Sequence, residues 1–406
     1  MNSSSKIQLC SRDLCTGCMA CKQKCRYDAI TTEINNGFAY PTINTEKCKS
    51  CRFCLEVCPI LNIHDEIGNR HENTQSCLAA WNKSPDIREN SSSGGAFSAL
   101  AEYVLSIGGI VFGAAWTPQM ELKHKAIYST KDLESIRKSK YVQSDVDGTF
   151  EEVENLLKEG KTVLYCGTHC QIAGLKFFLR KKYNNLYLVD ILCQGVPSPK
   201  LLRRYFDEIE HQHKSKICNC NFRSKKKAWR CGLSLEITLE NGRKIQRVLN
   251  HNEYYNAFYN EFFMRESCYK CMFKPEKLGF FSDVTLADFW RIGDTIPLNE
   301  DHYEKGYSAI IINTIQGKKL VNFSKEKLSI EKRTWNEFST NGGLNVSRKP
   351  ANNEAAYHYL ERNSWHDTQK RYFPIGGKRL LYDFLLLIVG EKYIRRAKKY
   401  LYKVIK

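Results

Sequence analysis

Four cysteines spaced Cys15-x2-Cys18-x2-Cys21-x3-Cys25 recur 33 residues later as Cys48-x2-Cys51-x2-Cys54-x3-Cys58, followed by Pro59. A segment this dense in thiols leaves little room for an ordinary apolar core. It has to fold around whatever the sulfurs bind. Zinc usually takes two CxxC pairs separated by a longer loop. Two runs with 2-2-3 gaps suit iron–sulfur cubes: three cysteines of a run hold one cube and the fourth reaches the other. The spacing therefore assigns Cys15, Cys18, Cys21 and Cys58 to one 4Fe-4S cluster, and Cys48, Cys51, Cys54 and Cys25 to a second.

In this, residues 8–62 resemble a bacterial-type two-cluster ferredoxin domain. One departure is Arg26, which follows Cys25 where that pattern has proline. A cation beside the second cluster favours its reduced, more negative form and should raise its potential.

The whole chain has 406 residues and 18 cysteines. Such cysteine usage without a signal-type leader points to metal binding or thiol chemistry in a reducing compartment, and to a cytoplasmic protein. No apolar run approaches the ~20 residues that span a bilayer. Lys plus Arg number 62 against 44 acids, a net charge of +18. Most of the excess lies in two stretches, Lys200–Leu235 and Lys370–Lys406. Localised basic surface suits an anionic partner, or simply keeps the protein soluble.

After a polar linker at Gly68–Ser76, helices and strands alternate. Ser91-Ser92-Ser93-Gly94-Gly95 reads as a serine-capped helix start before the apolar run Ala96–Leu105. Strands are expected at Ile110–Trp116, Thr162–Tyr165 and Leu186–Leu192, with helices over Val153–Leu157 and His169–Lys181. Strand–helix–strand at this spacing is a βαβ unit of a parallel sheet. Asn241-Gly242 sets a hairpin between Leu233–Leu239 and Lys244–Leu249, and Val284–Trp290 and Ala309–Thr314 add strands. The segment Lys378–Lys406 reads as a basic amphipathic helix. The fold class is thus α+β / α/β: a small ferredoxin-like N-terminal domain (1–70), a mixed-sheet α/β flavin-binding domain (77–345) and a helical basic C-terminal extension (346–406).

Six further motifs occur in order: Ser92-Ser93-Gly94-Gly95-Ala96, Lys140-Tyr141-Val142-Gln143-Ser144, Gly167-Thr168-His169-Cys170-Gln171, Asp190–Ser198, Cys268-Tyr269-Lys270-Cys271 and Asp283–Trp290. Together they resemble the beta-subunit family of coenzyme F420 hydrogenases and dehydrogenases. The resemblance implies an oxidoreductase with FAD and a further 4Fe-4S cluster, passing electrons between a two-electron donor or substrate and iron–sulfur centres. It points to Cys170, Cys193, Cys268 and Cys271 as the third cluster's ligands. The residues agree in type: Cys170 starts a helix, Cys193 ends a strand, and Cys268 and Cys271 form a CxxC pair. Ser92, Ser93, Gly94 and Gly95 are expected to hold the pyrophosphate at a helix N-terminus. Lys140, Tyr141, Gln143, Gly167, Thr168 and Gln171 are expected to line the flavin, with Lys140 and His169 as catalytic candidates. His169 stands where the family has proline, and Ala287 and Arg291 where it has glycine.

Cys10, Cys77, Cys166, Cys218, Cys220 and Cys231 fit no ligand set and are read as buried free thiols. The cluster Arg223, Lys225-Lys226-Lys227, Trp229 and Arg230 suits an anionic small-molecule donor; no nucleic-acid recognition fold accompanies it. Expected partners are a redox protein or ferredoxin, with peripheral membrane contact through the basic C-terminal helix as an alternative to plain packing. A non-catalytic electron-transfer subunit and a ferredoxin-dependent reductase of another organic substrate are the rival readings. The Arg26 expectation is open to measurement: an Arg26→Pro variant should show a lower second-cluster potential in a redox titration, and an unmoved potential refutes the effect.

Overall fold

The computed structural model describes residues 7–63, 76–225, 229, 233–294, 296–298, 303–339, 341–377 and 380–381. The expected linker, apart from its last residue, lies outside these. So do Lys226, Lys227, Arg230 and Cys231 and nearly all of the basic C-terminal helix.

The N-terminal module is a hairpin, β1 (Ile30–Asn35) and β2 (Phe38–Ile43), flanked by two one-turn helices, Ala20–Gln23 and Phe53–Glu56. Its turn is Asn36-Gly37, both with positive φ, as a tight two-residue hairpin demands. The sequence repeat is also a backbone repeat. Met19 and Arg52, each one residue past the second cysteine of its run, both adopt left-handed φ and open the short helices.

The main body is built on eight strands: β3 (Ser76–Asn82), β4 (Ile110–Trp116), β5 (Leu122–Ile127), β6 (Val163–Thr168), β7 (Leu186–Ile191), β11 (Val284–Asp288), β12 (Ser308–Ile312) and β13 (Leu328–Arg333). Between β7 and β11 the chain forms a separate antiparallel sheet of β8 (Ile217–Ser224), β9 (Ser234–Leu239) and β10 (Lys244–Val248). The large sheet runs β13-β3-β12-β11-β7-β6-β4-β5. Pairs β4/β6, β6/β7 and β7/β11 are parallel, and the outer pairs are antiparallel. The βαβ reading of β4, β6 and β7 holds, with helices Thr149–Lys158 and His169–Leu179 as the connections. Near-continuous burial along β6 and β7 is what central parallel strands require.

Three expectations need correction. The helix Ala96–Ser106 is capped by Gly95 in the left-handed region, not by a serine. Cys218 is exposed on β8, where an irregularity between Ile217 and Asn219 breaks the strand's alternation, so that Cys220 two residues on is buried. The segment expected to begin a C-terminal extension folds into the body: Ala356, Leu360, Trp365 and Phe373 share one apolar core with Tyr205, Phe206, Phe222 and Phe263. Among the described residues no helix is long and apolar enough to cross a membrane.

The N-terminal module is built into this body. Cys18, Ala20, Val57 and Ile63 pack in one core with Phe150, Ile172, Leu175 and Phe178. The Gln23 side chain accepts from Phe150 N at 2.8 Å, and Ser198 Oγ donates to Asn36 O at 2.6 Å. One close approach is at Gly174, on helix His169–Leu179. A Cβ there would lie 2.7 Å from Cys18 Cβ and 3.1 Å from its sulfur. Gly174→Ala is therefore expected to overpack this seam and destabilise the protein by about 1–3 kcal/mol. It should also lower iron retention by the first cysteine set. An unchanged thermal midpoint with full iron content would count against this packing.

Candidate functional site

The eight N-terminal cysteines separate into two cavities of about 370 and 350 Å3. Cys15, Cys18, Cys21 and Cys58 line the first; Cys25, Cys48, Cys51 and Cys54 line the second. In each, three cysteines come from one run and the fourth from the other, as the spacing predicts. Each cavity is lined almost wholly by thiols and apolar side chains, which suits a group held through sulfur. Among the described residues no three Cys, His, Asp or Glu side chains come close enough to share a single metal ion. A 4Fe-4S cube, with irons at alternate corners and one thiolate on each iron, holds its ligand sulfurs farther apart.

Cys10 also lines the first cavity. Its thiol is hydrogen-bonded to Cys15 and Cys58, which raises its pKa far above the ordinary value and holds both of theirs down. Spacing gave no sign of this, because Cys10 lies outside both runs.

Cys170, Cys193, Cys268 and Cys271 form a third group: the thiols are near enough to raise one another's pKa, on top of the larger effect of burial. Burial pushes Cys170 up to about 11 and Cys193 up to about 12. A coordinated metal reverses that preference, since it deprotonates its thiols outright. The positions follow from the fold. Cys170 is in the first turn of the helix leaving β6, Cys193 lies just past β7, and the CxxC pair brackets the end of the short helix Glu266–Tyr269. Lys274 anchors the loop by donating to the carbonyls of Cys193 and Gly343.

The first and third groups are neighbours. Cys18 and Cys170 interact electrostatically. Cys18 packs on Gly174, four residues along the helix that begins beside Cys170. One helical turn rises ~5.4 Å.

The remaining candidates gather in two places. At the carboxyl ends of β6 and β7, Thr168 N–H donates to Gln171 Oε1 at 2.9 Å and Gln171 Nε2 to Ser144 Oγ at 2.9 Å. His169 Nδ1 donates to Asp190 Oδ2 at 2.6 Å, across the β6/β7 pair where Gly167 faces Asp190. Asp190 is completely buried. Gln143 sits at the boundary with the N-terminal module, where its Nε2 donates to Thr16 O at 3.0 Å. The second place is the Ser92–Gly95 loop, whose hydroxyls are used within the chain. Ser92 Oγ accepts from Ser139 N at 2.8 Å, and Ser93 Oγ donates to Tyr307 O at 2.6 Å. Gly94 is required by packing, since a Cβ would lie 2.2 Å from Ala80 O.

Residues 139–143 join the two places. Lys140 is half-buried there and its Nζ donates to Arg137 O at 2.6 Å; burial pushes its pKa down to about 7. Tyr141 packs against Phe222, Tyr255 and Phe258.

The basic cluster at 223–230 is not a surface patch in its described part. Arg223 is buried, paired with Asp288, and lies over Trp290. Lys225 Nζ donates to the carbonyls of Arg88, Ser93 and Lys305, latching the serine loop from below. Burial pushes its pKa down to about 7. Trp229 stacks on Trp290. Sequence reasoning took these cations as exposed because strand burial on this second sheet could not be foreseen.

A flavin nucleotide needs donors not already spent on the protein. Along these two places, the buried donors without a protein partner are Arg137 Nε, Arg223 Nε and Nη2, and Trp229 Nε1, and His124 Nδ1 and His169 Nε2 are free acceptors because the other nitrogen of each ring donates. Unpaired buried donors are costly, so they suit a bound polar group. The residues present fit such a nucleotide.

Comparison with known proteins agrees with this architecture. Residues 14–61 match a 4Fe-4S dicluster domain. Across 68 residues the chain is 32% identical to a polyferredoxin-like protein of Methanocaldococcus jannaschii, covering 14% of this chain and 40% of that protein. A chain of the F420-reducing [NiFe] hydrogenase complex from Methanosarcina barkeri aligns in structure with 16% identity and a TM-score of 0.42, over 66% of this chain and 85% of that one. Residues 77–150 and 160–337 match the N-terminal and C-terminal parts of the coenzyme F420 hydrogenase/dehydrogenase beta subunit, together more than half of the chain. The chain therefore belongs to the coenzyme F420 hydrogenase/dehydrogenase beta-subunit family, with a 4Fe-4S dicluster domain at its N-terminal end.

Proposed function

We propose that this iron–sulfur oxidoreductase is an FAD enzyme with three 4Fe-4S clusters. It passes electrons between a two-electron donor or organic substrate and a one-electron carrier protein. The observation that carries this reading is the row of three cysteine groups, two of them joined across one helical turn from Cys170 to Gly174 and Cys18. Bound FAD supplies the exchange of an electron pair for single electrons, and the clusters supply one-electron steps.

The chain's own residues have separable tasks. Backbone amides at the start of helix Ala96–Ser106 offer an anion site for the pyrophosphate, and Lys225 holds the loop before it. Asp190 accepts from His169 Nδ1 and so fixes the ring with Nε2 toward the bound group, where it can accept or return a proton. An anionic group beside half-buried Lys140 would restore the charged form that desolvation disfavours. Cys15, Cys18 and Cys58 are buried, which keeps water from the first cluster.

The second cysteine set is the exit. It alone of the three sets holds an exposed ligand, Cys51. Arg26, Lys49 and Arg52 are exposed on its loops, which also carry the acids Asp28 and Glu46. Exposed cations at an electron exit suit an acidic carrier and steer its approach.

Anaerobically purified full-length protein is expected to contain about twelve irons, about twelve sulfides and about one FAD per chain. About eight irons without flavin would leave only the dicluster domain standing. In a second measurement, the reduced protein should transfer electrons to an acidic plant-type ferredoxin at a rate that falls as salt is raised. Charge reversal at Lys49 and Arg52 should slow that transfer roughly tenfold. A rate indifferent to both places the exit elsewhere.

A further inference from the structure

Arg265 is 1% exposed, and its guanidinium is aimed at the first cysteine set from outside it. Its Nε donates to Cys15 O at 2.7 Å, Nη1 to Gln143 Oε1 at 3.0 Å and Nη2 to Ala39 O at 2.9 Å. Nη2 also lies 3.8 Å from the Cys15 sulfur. The group sits over the Tyr40 ring at 4.2 Å and near that of Phe38. Every oxygen it touches is neutral. Among the described residues no carboxylate pairs with it.

A buried cation without an anionic partner costs several kcal/mol. The negative charge has to come from somewhere else. The nearest source is the Cys15 sulfur of the first set, 3.8 Å from Nη2. Its main chain is equally committed. Arg265 N donates to Val196 O at 3.0 Å, Arg265 O accepts from Cys268 N at 2.8 Å, and the residue opens the short helix that carries Cys268. The backbone therefore orders one thiol group while the side chain reaches into the other.

We infer that Arg265 is the counter-ion of the first cluster, a positioning residue that joins the first and third cysteine sets and raises the reduction potential of the first. The inference rests on the cluster-ligand assignment proposed above. Each reduction adds one electron to a cluster whose thiolate ligands are already negative, and no proton or bond moves. A fixed positive charge in a low-dielectric site lowers the cost of that electron. Arg26, by contrast, is exposed, with its guanidinium 5.1 Å over the Phe53 ring, and water and salt screen its effect on the second cluster.

The test is EPR-monitored potentiometry on anaerobic full-length holoprotein, comparing wild type with Arg265→Gln, Arg265→Lys and Arg26→Gln. Arg265→Gln with full iron and sulfide is expected to lower the first cluster's reduction equilibrium at least tenfold, about 59 mV for a one-electron couple. The second cluster should stay in place. Arg265→Lys keeps the charge and should retain most of the wild-type potential, and Arg26→Gln should give the smaller shift, on the second cluster. A first-cluster potential that does not move in Arg265→Gln, or an equal shift of every cluster, overturns the inference. If Arg265→Gln loses iron while Arg265→Lys keeps it, charge is what the site needs and the inference stands. If both lose iron, the site needs the shape of the fork and the counter-ion role falls. Wild-type protein with about eight irons or fewer would refute the third-set ligand assignment itself, before any variant is compared.

Discussion

The contact between Cys18 and Gly174 fixes the arrangement on which the rest of the molecule depends. A cluster-binding loop has almost no apolar side chains of its own, so its position must come from what it packs against. Here it packs on the helix that follows β6, and a missing Cβ lets the cysteine come within van der Waals reach of helix backbone. That helix starts at the carboxyl edge of the parallel strands, where binding sites gather in α/β sheets. One element thus carries a member of the third thiol group at its first turn and supports the first group one turn later. The short path between them follows from helix geometry.

A protein that holds anionic iron–sulfur clusters needs buried positive charge, and most of the burial here falls on a few residues. Lys225, Lys274 and Arg265 are all buried. Lys225 and Lys274 direct their ammonium groups at backbone carbonyls, which satisfies their hydrogen bonds while leaving their net charge uncancelled. Arg223 differs: it is neutralised by Asp288 and lies under Trp290. The difference matters for what each can do. A cation paired with a carboxylate is structural. A cation surrounded only by carbonyls keeps a field that a nearby anion can feel.

How much of this was legible in the sequence depends on whether the signal was local. The eight-cysteine repeat gave both cluster sets, including the crossed fourth ligand, because the spacing itself encodes the wrapping. The βαβ elements around β6 and β7 were legible, with ends displaced by up to four residues, because central parallel strands are apolar throughout. The hairpin at Asn241-Gly242 was equally plain, but the identical signal at Asn36-Gly37 is hidden among the cysteines. Strands β3, β5 and β13 gave little warning. They join the sheet antiparallel and near its edges, where alternation such as that of Leu122–Ile127 is short and interrupted by charge. The burial of Arg223 and Lys225 could not be read from a run of basic residues, which ordinarily marks a solvated face.

Arg265 shows where such reading ends. In sequence it is one arginine among many, three residues ahead of a CxxC pair, and nothing in its neighbours distinguishes it. Its meaning comes from a contact 250 residues away along the chain, with Cys15. Motif spacing locates groups that act on a ligand directly, because the ligand's geometry is written into the spacing. A residue that acts by charge on a neighbouring site needs no fixed spacing at all, only burial, proximity and the absence of a competing anion. The electron-carrying parts of this protein are therefore visible in its motifs, whereas the residues that set the energies between those parts emerge only once the two halves of the chain are seen packed together.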